Sequence, residues 1–137
     1  MATKITVSAH VNAPLEKVWK YWTGPEHITQ WNFASDTWQC PTAVNDVKVG
    51  GKYTARMEAK DGSFGFDFEY VYNTVIHQQE LRYTITDGRK ATTIFSGNGN
   101  TTTVTTTFEA ENQNPVELQQ QGWQAILNNF KKYTESN

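Results

Sequence analysis

The carboxylates best placed for acid–base chemistry are Asp67 and Glu69, which alternate with aromatic residues along one segment. A carboxyl group that points into an apolar interior can act as a general acid or base, because desolvation raises its pKa. Arg56 and Arg82 lie on neighbouring segments, where they can instead pair with carboxylates across a solvated outer face. We expect the solvated arrangement, and we therefore assign no catalytic residue.

The remaining chemically versatile side chains are three histidines, His10, His27 and His77, and a single cysteine, Cys40. Their spacing matches no zinc-ligand pattern, and the chain contains no nucleophile-elbow motif or glycine-rich phosphate loop. A single cysteine cannot form an intramolecular disulfide. The sequence therefore predicts neither a metal site nor a cofactor.

Aromatic side chains are the strongest feature, with five Trp, six Tyr and seven Phe in a chain that is 37% hydrophobic. One segment places aromatic rings at every second position, which is typical of one face of a β-strand. These rings form either an ordinary core beneath a helix or one wall of a cavity, and the sequence leaves both open. Buried tyrosine hydroxyls need partners, which suits an amphipathic ligand. The rings of the segment are Phe64, Phe66, Phe68, Tyr70 and Tyr72, and the hydroxyls are those of Tyr53, Tyr70 and Tyr83.

The elements that must position these rings follow from the periodicity of apolar residues. A strand over residues 4–12 precedes a helix over 14–22 and a second short helix that begins at Pro25. A weak edge strand is expected over 38–44, interrupted by Pro41. Further strands are predicted over 52–60, 64–72, 81–86, 91–96 and 101–108, and a long helix follows Pro115.

This order predicts a single α+β domain over residues 1–137. A meander of about six or seven antiparallel strands must curl to protect its edges. The last helix carries an apolar stripe of Trp123, Ile126, Leu127, Phe130 and Tyr133, which would fill the concave face. The four tryptophans Trp19, Trp22, Trp31 and Trp38 are expected to cluster around the two short helices.

Gly122 interrupts the last helix, where glycine costs about 1 kcal/mol relative to alanine. Close packing of the helix against the sheet would explain it, and so would clearance for a ligand beside Trp123. We expect close packing.

The net charge of −2 excludes no partner outright, but it gives no electrostatic reason to bind nucleic acid or an anionic membrane. The first residues run directly into the alternating pattern of a strand, without an apolar leader. We therefore expect a cytoplasmic protein with neither a nucleic acid nor a membrane as partner.

Several short sequence motifs resemble those of the START-like (SRPBCC) superfamily, in the branch similar to the C-terminal domain of activators of the heat-shock chaperone ATPase. Three positions depart from the usual pattern: Lys48 replaces an arginine, Asn32 replaces an aromatic residue, and Tyr70 lies near a usual glycine. The matching motifs are VNAPLEKVW at 11–19, TGPEHITQW at 23–31, DVKVGGKY at 46–53, MEAKDG at 57–62 and GW at 122–123.

The resemblance implies a helix-grip fold, in which a curved antiparallel sheet wraps around a long C-terminal helix and encloses a cavity. The superfamily includes carriers, cyclases, hydrolases and co-chaperone modules, so the fold alone does not choose a function. The chaperone branch would imply a role in the stress response.

Composition and resemblance together predict a module that binds a small apolar or amphipathic molecule between the sheet and the last helix. Two alternatives stay open: a co-chaperone similar to the chaperone ATPase activators, and a cyclase- or hydrolase-type enzyme acting on a bound aromatic substrate. The predicted ligand-binding residues are Trp22, Trp31, Tyr53, Met57, Phe66, Phe68, Tyr83, Phe95, Trp123 and Phe130.

Overall fold

A computed structural model describes residues 3–137, and within them it shows the predicted order of one strand, two short helices, a run of strands and a long helix. The helices are α1 (Leu15–Thr23), α2 (Pro25–Trp31) and α3 (Val116–Ser136). The strands are β1 (Lys4–Val11), β2 (Trp38–Gln39), β3 (Ala43–Asn45), β4 (Lys52–Ala59), β5 (Gly65–Ile76), β6 (Glu80–Ile85), β7 (Lys90–Asn98) and β8 (Thr101–Glu109).

The strands form one antiparallel sheet in the order β1-β8-β7-β6-β5-β4-β2, with β3 also paired to β4. The first strand therefore pairs with the last one, β8, and the other strands continue from β8 across the sheet to β2. The predicted strand over 38–44 is in fact two short edge strands. Pro41 lies between them and has no N–H to contribute to a ladder.

Two hairpin turns combine an aspartate with a glycine, as the Asp-Gly pairs predict. The Asp61 carboxylate accepts a hydrogen bond from the Ser63 N–H at 2.8 Å, and Asp87 accepts one from Arg89 at 3.1 Å. Gly62 and Gly88 have φ of 78° and 93°, a region that residues with a Cβ adopt at a cost. These turns fix the register of the strands that carry the aromatic rings.

Pro14 and Pro115 lie immediately before α1 and α3 and not at the first helical position. Each has an extended ψ, of 155° and 147° respectively. Each carbonyl accepts the first hydrogen bonds of its helix, from Val18 at 3.1 Å and from Gln119 at 3.2 Å. A residue in this position needs no N–H of its own, so proline serves as the cap.

Side chains of α3 cover the outer edge of β1. Gln124 donates to the Ser8 carbonyl at 2.9 Å, and Lys131 donates to the His10 carbonyl at 2.6 Å. Glu135 accepts a hydrogen bond from the Asn12 N–H at 2.8 Å. These bonds occupy backbone groups that would otherwise be free to pair with another strand. They also fix the helix beside β1, and the helix backbone lies close to β1, α1 and α2.

Candidate functional site

A cavity of about 330 Å³ lies between α3 and the concave face of the sheet. Its walls come from α1, α2, β1, β4, β5, β6, β8, α3 and connecting segments, and they are mostly apolar. Eight of the predicted residues line it: Trp22, Trp31, Tyr53, Met57, Phe66, Phe68, Tyr83 and Trp123.

The other two predicted residues, Phe95 and Phe130, are placed in the packed core and do not line the cavity. Trp22 separates both from the open space: its ring lies edge-on to Phe130 at 4.9 Å and to Phe95 at 5.8 Å. Phe130 also contacts Trp31 at 4.9 Å. Their position supports the cavity wall from behind.

Trp123 connects the long helix to the sheet. Its indole stacks on Phe108 of β8 with the ring centroids 3.8 Å apart, and it meets Phe68 of β5 edge-on at 6.1 Å. Phe108 is fully buried, so Trp123 has a rigid surface behind it. The ring therefore forms a fixed wall of the cavity.

Gly122 has open space beside it, which contradicts our expectation of close helix–sheet packing. A Cβ built at Gly122 would meet no atom within 4 Å outside its own helix backbone and chain neighbours. The residue lines the cavity directly next to Trp123. The helix stands away from the sheet at this turn, and the missing side chain adds to the open volume.

Three tyrosines on adjacent strands form a continuous stack along the cavity. The ring of Tyr70 lies 4.3 Å from Tyr53 with a 2° interplanar angle, and 3.9 Å from Tyr83 with a 23° angle. Tyr53 and Tyr70 are direct cross-strand partners. The bulky ring of Tyr70 is packed flat between its two neighbours, so it does not close the cavity.

Burial raises the pKa of Tyr53, Tyr70 and Tyr83 well above the usual value for tyrosine. All three hydroxyls are therefore neutral at pH 7. The Tyr83 hydroxyl shares a hydrogen bond with Thr93 at 3.0 Å, and Thr93 shares one with Thr106 at 2.9 Å. The cavity thus presents neutral hydroxyl groups among its apolar surfaces.

The aromatic segment of β5 changes from core to surface along its length. Tyr72 and Tyr70 are buried, whereas Phe66 is 40% exposed and Phe64 is 61% exposed. The predicted alternation holds over this run, because the irregularity in β5 lies between Tyr72 and Thr74, after the last of these rings.

Trp38 does not join the predicted tryptophan cluster. Trp22 and Trp31 stack on each other at 4.9 Å, but Trp38 contacts Phe64 at 6.0 Å and Phe66 at 6.3 Å. We call Trp38, Phe64 and Phe66 the hairpin aromatic cluster, because they lie at the β4–β5 hairpin.

The candidate acid–base residues lie outside the cavity. Asp67 pairs with Arg56 at 3.6 Å, and Glu69 pairs with Lys52 at 3.2 Å. Both alternate with the cavity-facing rings of β5 and so point to the opposite face of the sheet. This arrangement gives the enzyme alternative no acid or base from these two residues.

Sequence reasoning missed two charged residues that line the cavity, Arg89 and Glu111. Arg89 is held in place by Asp87, whose Oδ2 accepts from its Nε at 2.7 Å, and by the Glu109 carbonyl at 3.2 Å. Both residues come from connecting segments, where no periodicity indicates which way a side chain points.

The described residues, 3–137, contain no group of three or more side chains able to hold a metal ion. His27 instead bonds to the Tyr133 hydroxyl at 2.8 Å, and His77 packs edge-on against Trp19 at 5.3 Å. No helix within these residues is both long enough and apolar enough to cross a membrane.

Comparisons with known proteins agree with this architecture. The sequence model of the family described as "Activator of Hsp90 ATPase homolog 1-like protein" matches residues 12–135. The AHSA1-like protein of Aeromonas hydrophila is 40% identical, with a TM-score of 0.91 over 98% of this chain and 93% of that chain. A protein from Cytophaga hutchinsonii is 54% identical, with a TM-score of 0.83 and the same coverage.

A protein from Chromobacterium violaceum shows the same fold at 19% identity, with a TM-score of 0.86 over 98% of this chain and 99% of that chain. A search of the curated proteins gives no significant match.

Proposed function

Because the chain belongs to the family of activator of Hsp90 ATPase homolog 1-like proteins, whose fold commonly binds ligands in a cavity, we propose that it binds a small, mainly apolar molecule between α3 and the sheet. The observation that carries this proposal is the open, aromatic-lined cavity of about 330 Å³ beside Gly122. Protein interiors are normally packed to crystal density, so an opening of this size needs a reason. Ligand pockets begin at about 300 Å³, so the volume suits one small molecule.

The lining favours a neutral ligand with a flat apolar body. Trp22, Trp31 and Trp123 offer large rings on the helical side, and the tyrosine stack faces them from the sheet. Arg89 already has Asp87 as its counter-ion, and Glu111 adds a second negative charge near the cavity. An anionic head group would therefore find no free cation there to offset its loss of hydration.

Binding of a ligand in the cavity would stabilise the folded protein. Side chains around an unfilled apolar space lack dispersion contacts on that side. The energy of each such contact is small, but the sum over many contacts is large. A flat aromatic molecule would restore those contacts on both sides. The proposal thus predicts that the protein unfolds at a higher temperature when its ligand is present.

The first experiment is native mass spectrometry on protein purified gently from its own host, followed by identification of any small molecule that denaturation releases. A defined adduct of small-molecule mass supports the proposal and gives the ligand class. If the purified protein carries no adduct, binding is tested in a second experiment with an added probe.

The second experiment titrates 2-naphthol into ¹⁵N-labelled protein and follows the five tryptophan indole N–H signals. We expect the signals of Trp22, Trp31 and Trp123 to shift, because these rings line the cavity. Trp19 packs against His77 and Phe95, neither of which lines the cavity, and it is the internal control. Shifts confined to Trp38 would place binding on the surface and contradict the proposal, as would no shift at any tryptophan.

A second candidate function is that of a co-chaperone acting through its surface. The hairpin aromatic cluster favours it, because Phe64 is 61% exposed and does not line the cavity. Exposed aromatic groups of this kind are typical of contact surfaces between proteins. The test is the ATPase rate of the host's Hsp90 with added wild-type protein and with Phe64→Ser. If the wild-type protein at saturation does not stimulate the ATPase, this function is excluded. If the wild type and Phe64→Ser stimulate it equally, Phe64 of the hairpin aromatic cluster is excluded as part of the contact surface.

A further inference from the structure

We propose that Asn32 determines which ligand the cavity accepts, by hydrogen bonding to a neutral hydroxyl or amide group on it. This inference rests on the proposed function and adds the chemical class of the ligand.

The backbone at Asn32 is fixed by the end of α2. Its N–H donates to the Ile28 carbonyl at 3.0 Å, as the cap of the helix. The residue follows Trp31, which is 3% exposed, and Asn32 itself is 5% exposed. Both side chains line the cavity. The amide is therefore held at a buried position on the cavity wall and is not free to turn towards bulk solvent.

The hydrogen bonds of the Asn32 amide are incomplete. Its Nδ2 donates to the Tyr53 hydroxyl at 3.0 Å, but its oxygen accepts no hydrogen bond from residues 3–137. Nor is that oxygen enclosed by protein atoms, so it is open to the cavity. Turning the amide round would let Tyr53 donate to the oxygen and would leave the NH₂ group open. In either orientation one end of the amide faces the cavity unpaired.

Three neighbouring polar groups on the cavity wall have partners within the protein. The Tyr83 hydroxyl and Thr106 are joined through Thr93, and the Arg89 guanidinium is held by Asp87. Asn32 thus supplies a buried amide on the cavity wall with an unmet hydrogen bond that a ligand would satisfy.

The chemistry of an amide defines the group that it would recognise. A ligand hydroxyl or primary amide can donate to the Asn32 oxygen and can also accept from its NH₂, so it fits both orientations. A carboxylate fits less well, because Asn32 and Tyr53 carry no charge to balance it. The ligand class is therefore a small planar or acyl molecule with a neutral hydroxyl or amide at one end.

The test compares 2-naphthol with 2-methylnaphthalene, which have similar shape but differ in the hydroxyl group. Calorimetry gives the ratio of their affinities for the wild type, for Asn32→Leu and for the control Asn128→Leu, whose exposed position on α3 lies outside the cavity. We expect Asn32→Leu to shift this ratio against 2-naphthol by about tenfold, the value of one hydrogen bond of about 1.4 kcal/mol. The control should keep the wild-type ratio.

Asn32→Leu leaves the Tyr53 hydroxyl without its donor and can lower stability. The double variant Asn32→Leu/Tyr53→Phe removes both partners, which is close to neutral for folding, and should show the same shift. Equal ratios in the wild type and both variants would overturn the inference and leave the proposed function standing. Failure of both probes to bind the wild type would overturn both the inference on Asn32 and the proposed ligand-binding function.

Discussion

Replacing Gly122 tests the cavity through two opposite effects on stability and binding. Alanine is about 1 kcal/mol better than glycine in a helix interior, provided that its Cβ meets no obstacle. A Cβ at Gly122 has no atom within 4 Å beyond its own helix backbone and chain neighbours. Gly122→Ala should therefore raise the free energy of unfolding by about 1 kcal/mol, or the melting temperature by about 4 °C in a domain of this size.

A larger residue at the same position should block the ligand. The leucine side chain of Gly122→Leu would extend into a cavity of about 330 Å³ next to Trp123. We expect the affinity for 2-naphthol to fall by about tenfold or more, which corresponds to about 1.4 kcal/mol. Folding should survive, because the open space accepts the added atoms without forcing neighbours apart.

The assays are thermal unfolding followed by circular dichroism, and calorimetric titration with 2-naphthol. Gln121→Leu is the matched control, because Gln121 is the preceding residue of α3 and is exposed. It should change neither measurement appreciably. A lower melting temperature for Gly122→Ala would show that the helix packs closely there and would refute the reasoning. Unchanged affinity in Gly122→Leu would show that the probe binds elsewhere.

Two further predictions concern buried groups with raised pKa values. The pKa values of Tyr53, Tyr70 and Tyr83 are raised in the folded state, so their stabilisation is complete below about pH 10 and is lost as the pH rises further. The free energy of unfolding should fall steeply as the pH rises above that point, because each such group adds about 1.4 kcal/mol per pH unit to the slope. Tyr83→Phe should remove about that much from the slope in urea titrations, and a flat profile would contradict this. Burial raises the pKa of the Cys40 thiol to about 11, so Ellman's reagent at pH 8 should react about a hundredfold more slowly with folded than with urea-unfolded protein. Equal rates would show that the thiol is accessible and ionised.

Much of the fold was predictable because it depends on local patterns. The alternation in β1 and β4, the Asp-Gly hairpins and the apolar stripe of α3 each involve residues close together in the chain. Such patterns report which face of an element is apolar, and they place the elements in order. They also placed eight cavity-lining residues on the inner face.

The same patterns misjudged residues whose environment depends on distance between layers. Phe64 and Tyr72 share one side of the aromatic run, yet Phe64 is 61% exposed and Tyr72 is 1% exposed. Phe95 and Phe130 point inward, but Trp22 comes between them and the open space. Alternation gives the direction of a side chain and carries no information on what covers it.

Gly122 shows most clearly the difference between what the sequence determines and what only the tertiary structure decides. The sequence by itself established that a glycine interrupts a long amphipathic helix at a cost in stability, and that the helix belongs on the concave face of an antiparallel sheet. Only the tertiary structure decided that the space beside this glycine is open. The reason is physical: hydrogen bonds to Ser8, His10 and Asn12 fix α3 beside β1. Its distance from β4 and β5 then follows from contacts between residues far apart in the chain.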